Sequence, residues 1–273
     1  MRAGAHRVLL YDSAIVTPGV LVRQPYVDAD LGSSKASALA ARLKAIDPTA
    51  SIEPHFEDVL SGPLEREDWH DGADVVIDAT ASVAVQSKLE RARRLHHQDT
   101  TVITTIIGRT AQHGIATISF PAHSGAGADT LRATKLACAR TPRLRSFLRE
   151  FWPDPPRTDF FQPEPGCSSP TFQGSGAEVN ALAANLLTSV ARDLAAPLDG
   201  DTAVVHLLAL PPARHSGPRN ARLSWGPAVT MSDASGHFEI RIADASRREI
   251  LAWTKSAERR LPDMSETGGV LFG

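Results

Sequence analysis

Read for its apolar and polar positions, the chain opens with Val8-Leu9-Leu10-Tyr11, a short apolar run that ends on Asp12. This is the pattern of a buried strand presenting a carboxylate at its end. From Ser34 to Ile46 apolar residues fall at 36, 39, 40, 43 and 46, a helical spacing, and Asp47-Pro48 predicts the stop. Residues 51–54 predict a short strand with Ile52 facing inward, and 56–72 a loop with one helical turn. Residues 73–78, Ala-Asp-Val-Val-Ile-Asp, form a second apolar run ending on an acid. They predict a parallel strand buried on both faces, which places Asp78 near Asp12 if the two strands are neighbours.

Residues 82–97 read as a basic helix whose Lys88, Arg91, Arg93 and Arg94 form a solvated outer face. The β-branched run 100–107 predicts a central strand, and 113–120 the next one after the Gly108-Arg109 break, so the sheet starts parallel and turns antiparallel. Helices are predicted at 130–139 and 143–152, followed by a proline-rich loop to Pro165. Residues 177–194 carry an apolar stripe at 179, 182, 183, 186, 187, 190 and 194. Residues 202–210 and 222–231 then read as strands of a terminal hairpin or meander, with His206 a satisfied core histidine. A strand at 238–242 and an amphipathic helix at 246–260 follow. Strands alternating with helices predict an α/β architecture.

The length, 273 residues, allows one large domain or one plus part of another. A formal charge of −2 gives no reason to expect nucleic acid or an acidic membrane as partner. Two cysteines, Cys138 and Cys167, argue against a disulfide framework and for a reducing, cytoplasmic setting. No run approaches the ~20 apolar residues of a membrane span, and residues 1–6 lack an apolar export signal. Cys138, inside an apolar helical stretch, reads as a buried small hydrophobe without chemistry.

Candidate chemistry gathers in residues 8–35. Asp12, at a strand end, is placed as a hydrogen-bond acceptor for ribose hydroxyls. Arg23-Gln24 follows eleven positions later, and Lys35 opens a helix twelve positions after Arg23. One acid and two cations along a single strand–loop–helix crossover suit a nucleoside triphosphate, whose reaction at phosphorus needs fixed positive charge.

With its acid at a strand end, the Arg-Gln pair, and Gly32-Ser33-Ser34-Lys35 leading through a helix to Asp47-Pro48, the chain resembles the ThiF/MoeB superfamily of adenylating enzymes, relatives of the ubiquitin-activating enzymes. The resemblance implies a Rossmann-like ThiF-type sheet lacking its first βα unit, because no strand and glycine-rich turn precede Val8. It assigns Asp12, Arg23, Gln24, Lys35 and Asp78 to ATP and magnesium. Where the family reads D-x-T-D-N, this chain has Asp78-Ala79-Thr80-Ala81-Ser82, and Val20 stands where an Asn is usual. Both departures remove polar groups from the expected site. Cys167, in a loop ahead of the helix at 177–194, occupies the place where relatives accept an activated acyl group or sulfur; the alternative is an ordinary loop cysteine. Two cysteines cannot supply the four thiolates of the zinc-bearing relatives.

A second resemblance lies at the tail. Glu266-Thr267-Gly268-Gly269-Val270-Leu271-Phe272-Gly273 is similar to the opening motif of the JAMM/JAB zinc isopeptidases, in which the glutamate is a general base toward zinc-bound water. The zinc ligands of that family are expected after Gly273, so these residues alone give no zinc site. The two resemblances together imply an N-terminally truncated adenylation domain over 1–235 with a C-terminal β-rich extension, the N-terminal fragment of a JAMM/JAB domain over 236–273, and a fragment of a bacterial activating-enzyme/JAB fusion. The implied activity is ATP-dependent adenylation of the C-terminal carboxylate of a ubiquitin-like or sulfur-carrier protein, by a homodimer. Glu266 and Cys167 join Arg23 as candidate catalytic residues. The alternatives are an inactive module that binds a ubiquitin-like protein and a NAD-binding oxidoreductase.

Overall fold

A computed structural model describes residues 5–21, 24–66, 69–70, 72–96, 99–158, 173–211, 219–232 and 239–260. In chain order these form β1 (Arg7–Tyr11), α1 (Pro18–Leu21), α2 (Lys35–Ile46), β2 (Ser51–His55), α3 (Pro63–Arg66), β3 (Val75–Asp78), α4 (Val83–His96), β4 (Thr101–Ile107) and β5 (His113–Ser119). There follow α5 (Gly127–Arg140), α6 (Arg145–Phe151), α7 (Gly176–Ala195), β6 (Ala203–Ala209), β7 (Asn220–Trp225), β8 (Ala228–Ser232), β9 (Glu239–Ala243) and α8 (Asp244–Arg260). The architecture is α/β, as the alternation of elements predicts.

The described strands lie in three sheets: β1-β2, β3-β4-β5-β6-β7, and β8-β9. β1 pairs with β2, and β3 with β4, in parallel; every later pairing is antiparallel. The expected change from parallel to antiparallel falls at β5. β1 and β3 are not hydrogen-bonded neighbours, so the expectation that Asp78 adjoins Asp12 through paired strands does not hold.

The antiparallel strands carry the main core on both faces. On one, Ile115, Val205 and Leu207 meet Leu131 and Cys138 of α5 and Phe147 of α6. On the other, Ile103, Ala116, Ile118 and Val204 meet Leu182, Leu186 and Val190 of α7. Two close approaches require glycine. A Cβ on Gly127 would sit 2.1 Å from Thr104 Oγ1, and one on Gly114 would sit 2.6 Å from Leu186 Cδ1. α7 starts on a reciprocal cap in which Ser175 Oγ accepts from Glu178 N at 3.2 Å and Ser175 N donates to Glu178 Oε2 at 2.8 Å.

Several expectations are corrected. β3 is not buried on both faces: Val75 is 37% and Ile77 54% exposed, while Val76 packs under α4 with Val85 and Leu89. Among the described residues, one edge of β3 has no strand beside it. Arg93 is not solvated; it is buried, donating to the carbonyls of Thr100 and, at 2.6 Å, Phe120. Burial lowers the affinity of its guanidinium for the proton, and the two carbonyls satisfy it. Ile46, the last of the helically spaced apolar positions, is 51% exposed, while α2 buries Ala36, Ala38 and Ala40. Residues 222–231 are two strands rather than one, broken at Gly226-Pro227 because proline cannot donate to a ladder. Residues 202–210 do form the expected hairpin, β6 pairing antiparallel with β7.

Glu90, on α4, reaches the start of α5, where its Oε2 accepts from Ala126 N at 2.8 Å and Asp129 N at 3.2 Å.

Candidate functional site

The crossover from β1 to α2 folds as one unit because its loop bonds back onto the strand end. Lys35 N donates to Ala14 O at 3.0 Å, Val16 N to Ser33 O at 2.8 Å, and Gly32 N to Val16 O at 2.9 Å. Gly32 takes φ +81°, a left-handed conformation that glycine adopts without a Cβ clash. Ser34 caps α2, its Oγ accepting from Ser37 N at 3.2 Å. The first residue of α2 is thereby held against Ala14, just past Asp12. Asp12 and Lys35, both half-buried, are thus brought to the same turn.

Asp12 closes a turn on itself: Oδ1 accepts from Ala14 N at 2.8 Å. The ring of Tyr11 stacks on His55 at 4.5 Å between centroids, tying the ends of β1 and β2. Gln24 donates its backbone N–H to Val20 O at 2.9 Å and is half-buried. Arg23 lies outside the described residues, as do Cys167 and Glu266.

The sequence reading missed a group beside this turn. Tyr26 Oη donates to Lys35 O at 3.3 Å, and Arg42 stands 5.5 Å above the tyrosine ring while pairing with Asp30. Burial, followed by the negative charge of Asp12, pushes the Tyr26 phenol up from its ordinary value. An aromatic just after the Arg-Gln pair, with a cation about two helical turns past Lys35, was the available signal.

Asp78 ends β3 in a second turn. Its Oδ1 accepts from Thr80 N at 2.9 Å and Thr80 Oγ1 at 2.7 Å, and Thr80 Oγ1 accepts from Ser82 N at 3.1 Å. Its Oδ2 is buried without a hydrogen-bond partner among the described residues. Ala81 follows at φ +53°, a conformation that costs an alanine more than an Asp or Asn. Ala81, one of the two residues that depart from the expected D-x-T-D-N pattern, is thus also strained. Val20, the other departure, is buried in α1. The structure thereby gathers Asp12, Gln24 and Lys35 in one crossover and holds Asp78 at the end of a different sheet.

Among the described residues no group of three or more His, Cys, Asp or Glu could hold a metal ion. No described helix is long and apolar enough to cross a membrane. Cys138 is fully buried, and burial raises its thiol to about 11, so it is a core hydrophobe. His206 is also a core residue: Nε2 lies 2.7 Å from Asp193 Oδ2, and Asp193 also receives Arg222 Nε at 3.1 Å.

The fold is Rossmann-like and of the ThiF type. Residues 1–133 match the model of the ThiF family, just under half of the 273 residues. No curated protein matches the chain. Among solved structures, selenomethionine PaaA is 16% identical with a TM-score of 0.50, over 80% of this chain and 64% of PaaA. E. coli MccB with ATP is 14% identical with a TM-score of 0.44, over 81% of this chain and 57% of MccB. The E. coli tRNA N6-threonylcarbamoyladenosine dehydratase TcdA, in complex with AMP, is 18% identical with a TM-score of 0.42, over 71% of this chain and 79% of TcdA. The chain therefore spans about three-fifths of the length of PaaA and MccB.

Proposed function

We propose that this chain takes part in ATP-dependent adenylation of a carboxylate, that of the C-terminus of a ubiquitin-like or sulfur-carrier protein. The observation that carries the reading is the β1–α2 crossover, which sets an acceptor, Asp12, and a cation, Lys35, on one turn at the carboxyl end of a parallel strand. The ThiF match over residues 1–133 supports it, as does the ATP held by MccB in its solved complex. MccB is also solved with its peptide MccA, which supports a polypeptide as the second substrate.

The residues present fit parts of a nucleotide. Asp12 keeps Oδ2 for ribose, Lys35 supplies positive charge where phosphate charge accumulates, and Gln24, with its neutral amide, and Arg23, with its cation, are the proposed further phosphate ligands. The modifier's carboxylate would attack the α-phosphorus of ATP, forming an acyl-adenylate as the α–β phosphoanhydride breaks and pyrophosphate leaves. The unpartnered Oδ2 of Asp78 fits a share in a magnesium ion otherwise held by phosphate oxygens, since one carboxylate oxygen does not make a metal site. Cys167 is the proposed acceptor of the acyl group, and Glu266 of residues 236–273 the base of a JAB unit that would need zinc. Homodimerisation and a cytoplasmic setting belong to the same proposal.

The test is modifier-dependent ATP–pyrophosphate exchange. Lys35→Ala is expected to lower it by about 10²-fold, the effect of removing one charge-stabilising group; unchanged exchange would take Lys35 out of the site. Ala81 and Val20 favour a second reading, a module that binds the modifier without activating it. Tight modifier binding with no exchange by the unaltered chain would establish that reading.

A further inference from the structure

The three helices over one face of the main sheet share an outer surface of a single sign, and we propose that it binds the sugar–phosphate backbone of a nucleic acid without reading its bases. The proposal does not rest on the adenylation reading.

α5 and α6 lie over the same face, turning Leu131, Cys138 and Phe147 to the strands. α4 lies over that face too, because Val102, which clusters with Val85 and Leu89 of α4, is two residues along β4 from Thr104, against which Gly127 of α5 closes. The other sides of these helices turn outward together. Arg91 of α4, Lys135 and Arg140 of α5, Arg143 beyond it, and Arg145 and Arg149 of α6 are all exposed. Glu90 Oε1 joins the layer across the first two helices, lying 3.3 Å from Arg94 Nε of α4 and 4.0 Å from Arg132 Nη2 of α5. Between Val83 and Arg149 stand eleven lysines and arginines and three carboxylates, Glu90, Asp99 and Asp129. Glu90 is buried, its Oε2 taken up by the first amides of α5, and Asp129 is half-buried with Oδ2 at 3.3 Å from His123 Nε2. Asp99, in the loop after α4, is the one of the three that is exposed. The net charge of −2 averages this face with an acidic remainder.

Exposed arginines elsewhere have acids beside them: Arg7 meets Glu53 at 3.0 Å and Arg247 meets Asp244 at 3.3 Å. On the three-helix face, Arg132 and Lys135 stand three residues apart on α5, and Arg145 and Arg149 four apart on α6, spacings at which like charges repel. A bound polyanion removes that repulsion. The chemistry of the face selects among polyanions. A protein partner is anchored by large apolar or aromatic side chains seated in pockets, whereas the exposed large apolar residues here are Leu95 and Leu136, and neither Phe147 nor Phe151 is exposed. A lipid surface takes up the apolar side of a helix, and the apolar sides of α5 and α6 are spent on the strands. Charge is what remains, and charge alone carries sequence-independent contact with phosphates. Arginine, which outnumbers lysine on this face, matches a phosphate with two parallel hydrogen bonds. From Arg132 to Arg140 the helix rises about 12 Å, a length over which a duplex offers several phosphates at one charge per about 1.7 Å. With no exposed aromatic to stack on them, bases are left unread.

The test is fluorescence anisotropy of the whole 273-residue chain with labelled duplexes of DNA and of RNA, each about 20 base pairs long, at salt from about 50 to 200 mM. Affinity is expected to fall by about 10³-fold over that range, the effect of six phosphate contacts, and the duplex bound more tightly identifies the source of the backbone. Arg91→Gln, Arg140→Gln and Arg145→Gln together, one change per helix, are expected to flatten the log–log salt slope by about 3, one for each lost contact. Arg7→Gln, on β1, is expected to leave the slope unchanged. All four side chains are exposed, and circular dichroism checks that the variants fold. No binding at the lowest salt, an unchanged slope in the triple variant, an equal loss in Arg7→Gln, or more than about tenfold discrimination between duplexes of different sequence would overturn the proposal. Polyglutamate or phosphatidylserine vesicles bound more tightly than either duplex would assign the face to an acidic protein or an anionic membrane and overturn it as well.

Discussion

The antiparallel strands β4 to β6 and the parallel strands β1 to β3 differ in one respect that governs the rest. β5 is buried along its whole length, with a strand on each edge, α5 and α6 over one face and α7 over the other. β3 has comparable apolar residues, but among the described residues it has one strand neighbour and one covering helix, and two of its four residues are exposed. Side-chain type sets what a strand can bury, and the neighbours decide what it does bury.

Substitutions can break this contrast. Phe147 is fully buried against the antiparallel strands, so Phe147→Ala is expected to destabilise by roughly 3–5 kcal/mol, read by urea denaturation. Next comes the network joining α7 to β6 and β7, in which Asp193 bonds His206 and Arg222 while Arg222 also pairs with Asp201 at 2.8 Å. Asp193→Ala leaves His206 without its partner and is expected to cost about 2 kcal/mol, below the usual figure for a broken buried pair because Arg222 retains Asp201 and some solvent.

The same network sets a sign with pH. Burial holds His206 below its ordinary 6.5, outweighing the upward pull of Asp193. The unfolded chain then binds the extra proton, so this contribution to stability is present above 6.5 and is lost as pH falls below it. His206→Gln is expected to flatten that part of a melting-temperature profile; an unchanged slope would remove His206 as its source. Ser175→Ala removes the cap of α7 and is expected to cost about 1 kcal/mol in the same denaturation assay. Ile77→Ser, on the open face, is expected to change stability by no more than about 0.5 kcal/mol. A large loss there would mean that β3 is covered in solution, which would sharpen the contrast in the opposite direction.

Legibility in the sequence divides along the same line. The β1–α2–β2 crossover, the β4-β5 pair and the helix α7 were legible because capping, β-branching and apolar spacing are local signals. The exposure of Ile77, the split at Gly226-Pro227 and the interior position of Arg93 were not. The first depends on a missing neighbour, the second on a turn hidden in an apolar run, and the third on two carbonyls distant in the chain. In the candidate site, the approach of the start of α2 to the end of β1, which brings Lys35 N to Ala14 O, was legible from spacing. Tyr26 and Arg42 were not, since their meeting depends on how the loop between them folds back.

Glu90 carries one last implication. The start of α5 comes after a run of small residues and presents amides of the sort on which sulfate or phosphate settles, yet a side chain of the molecule itself already fills that seat. Dissolved anions meet competition there from a tethered rival at very high local concentration. Any polyphosphate bound by this protein would therefore have to draw on other ground than the start of α5.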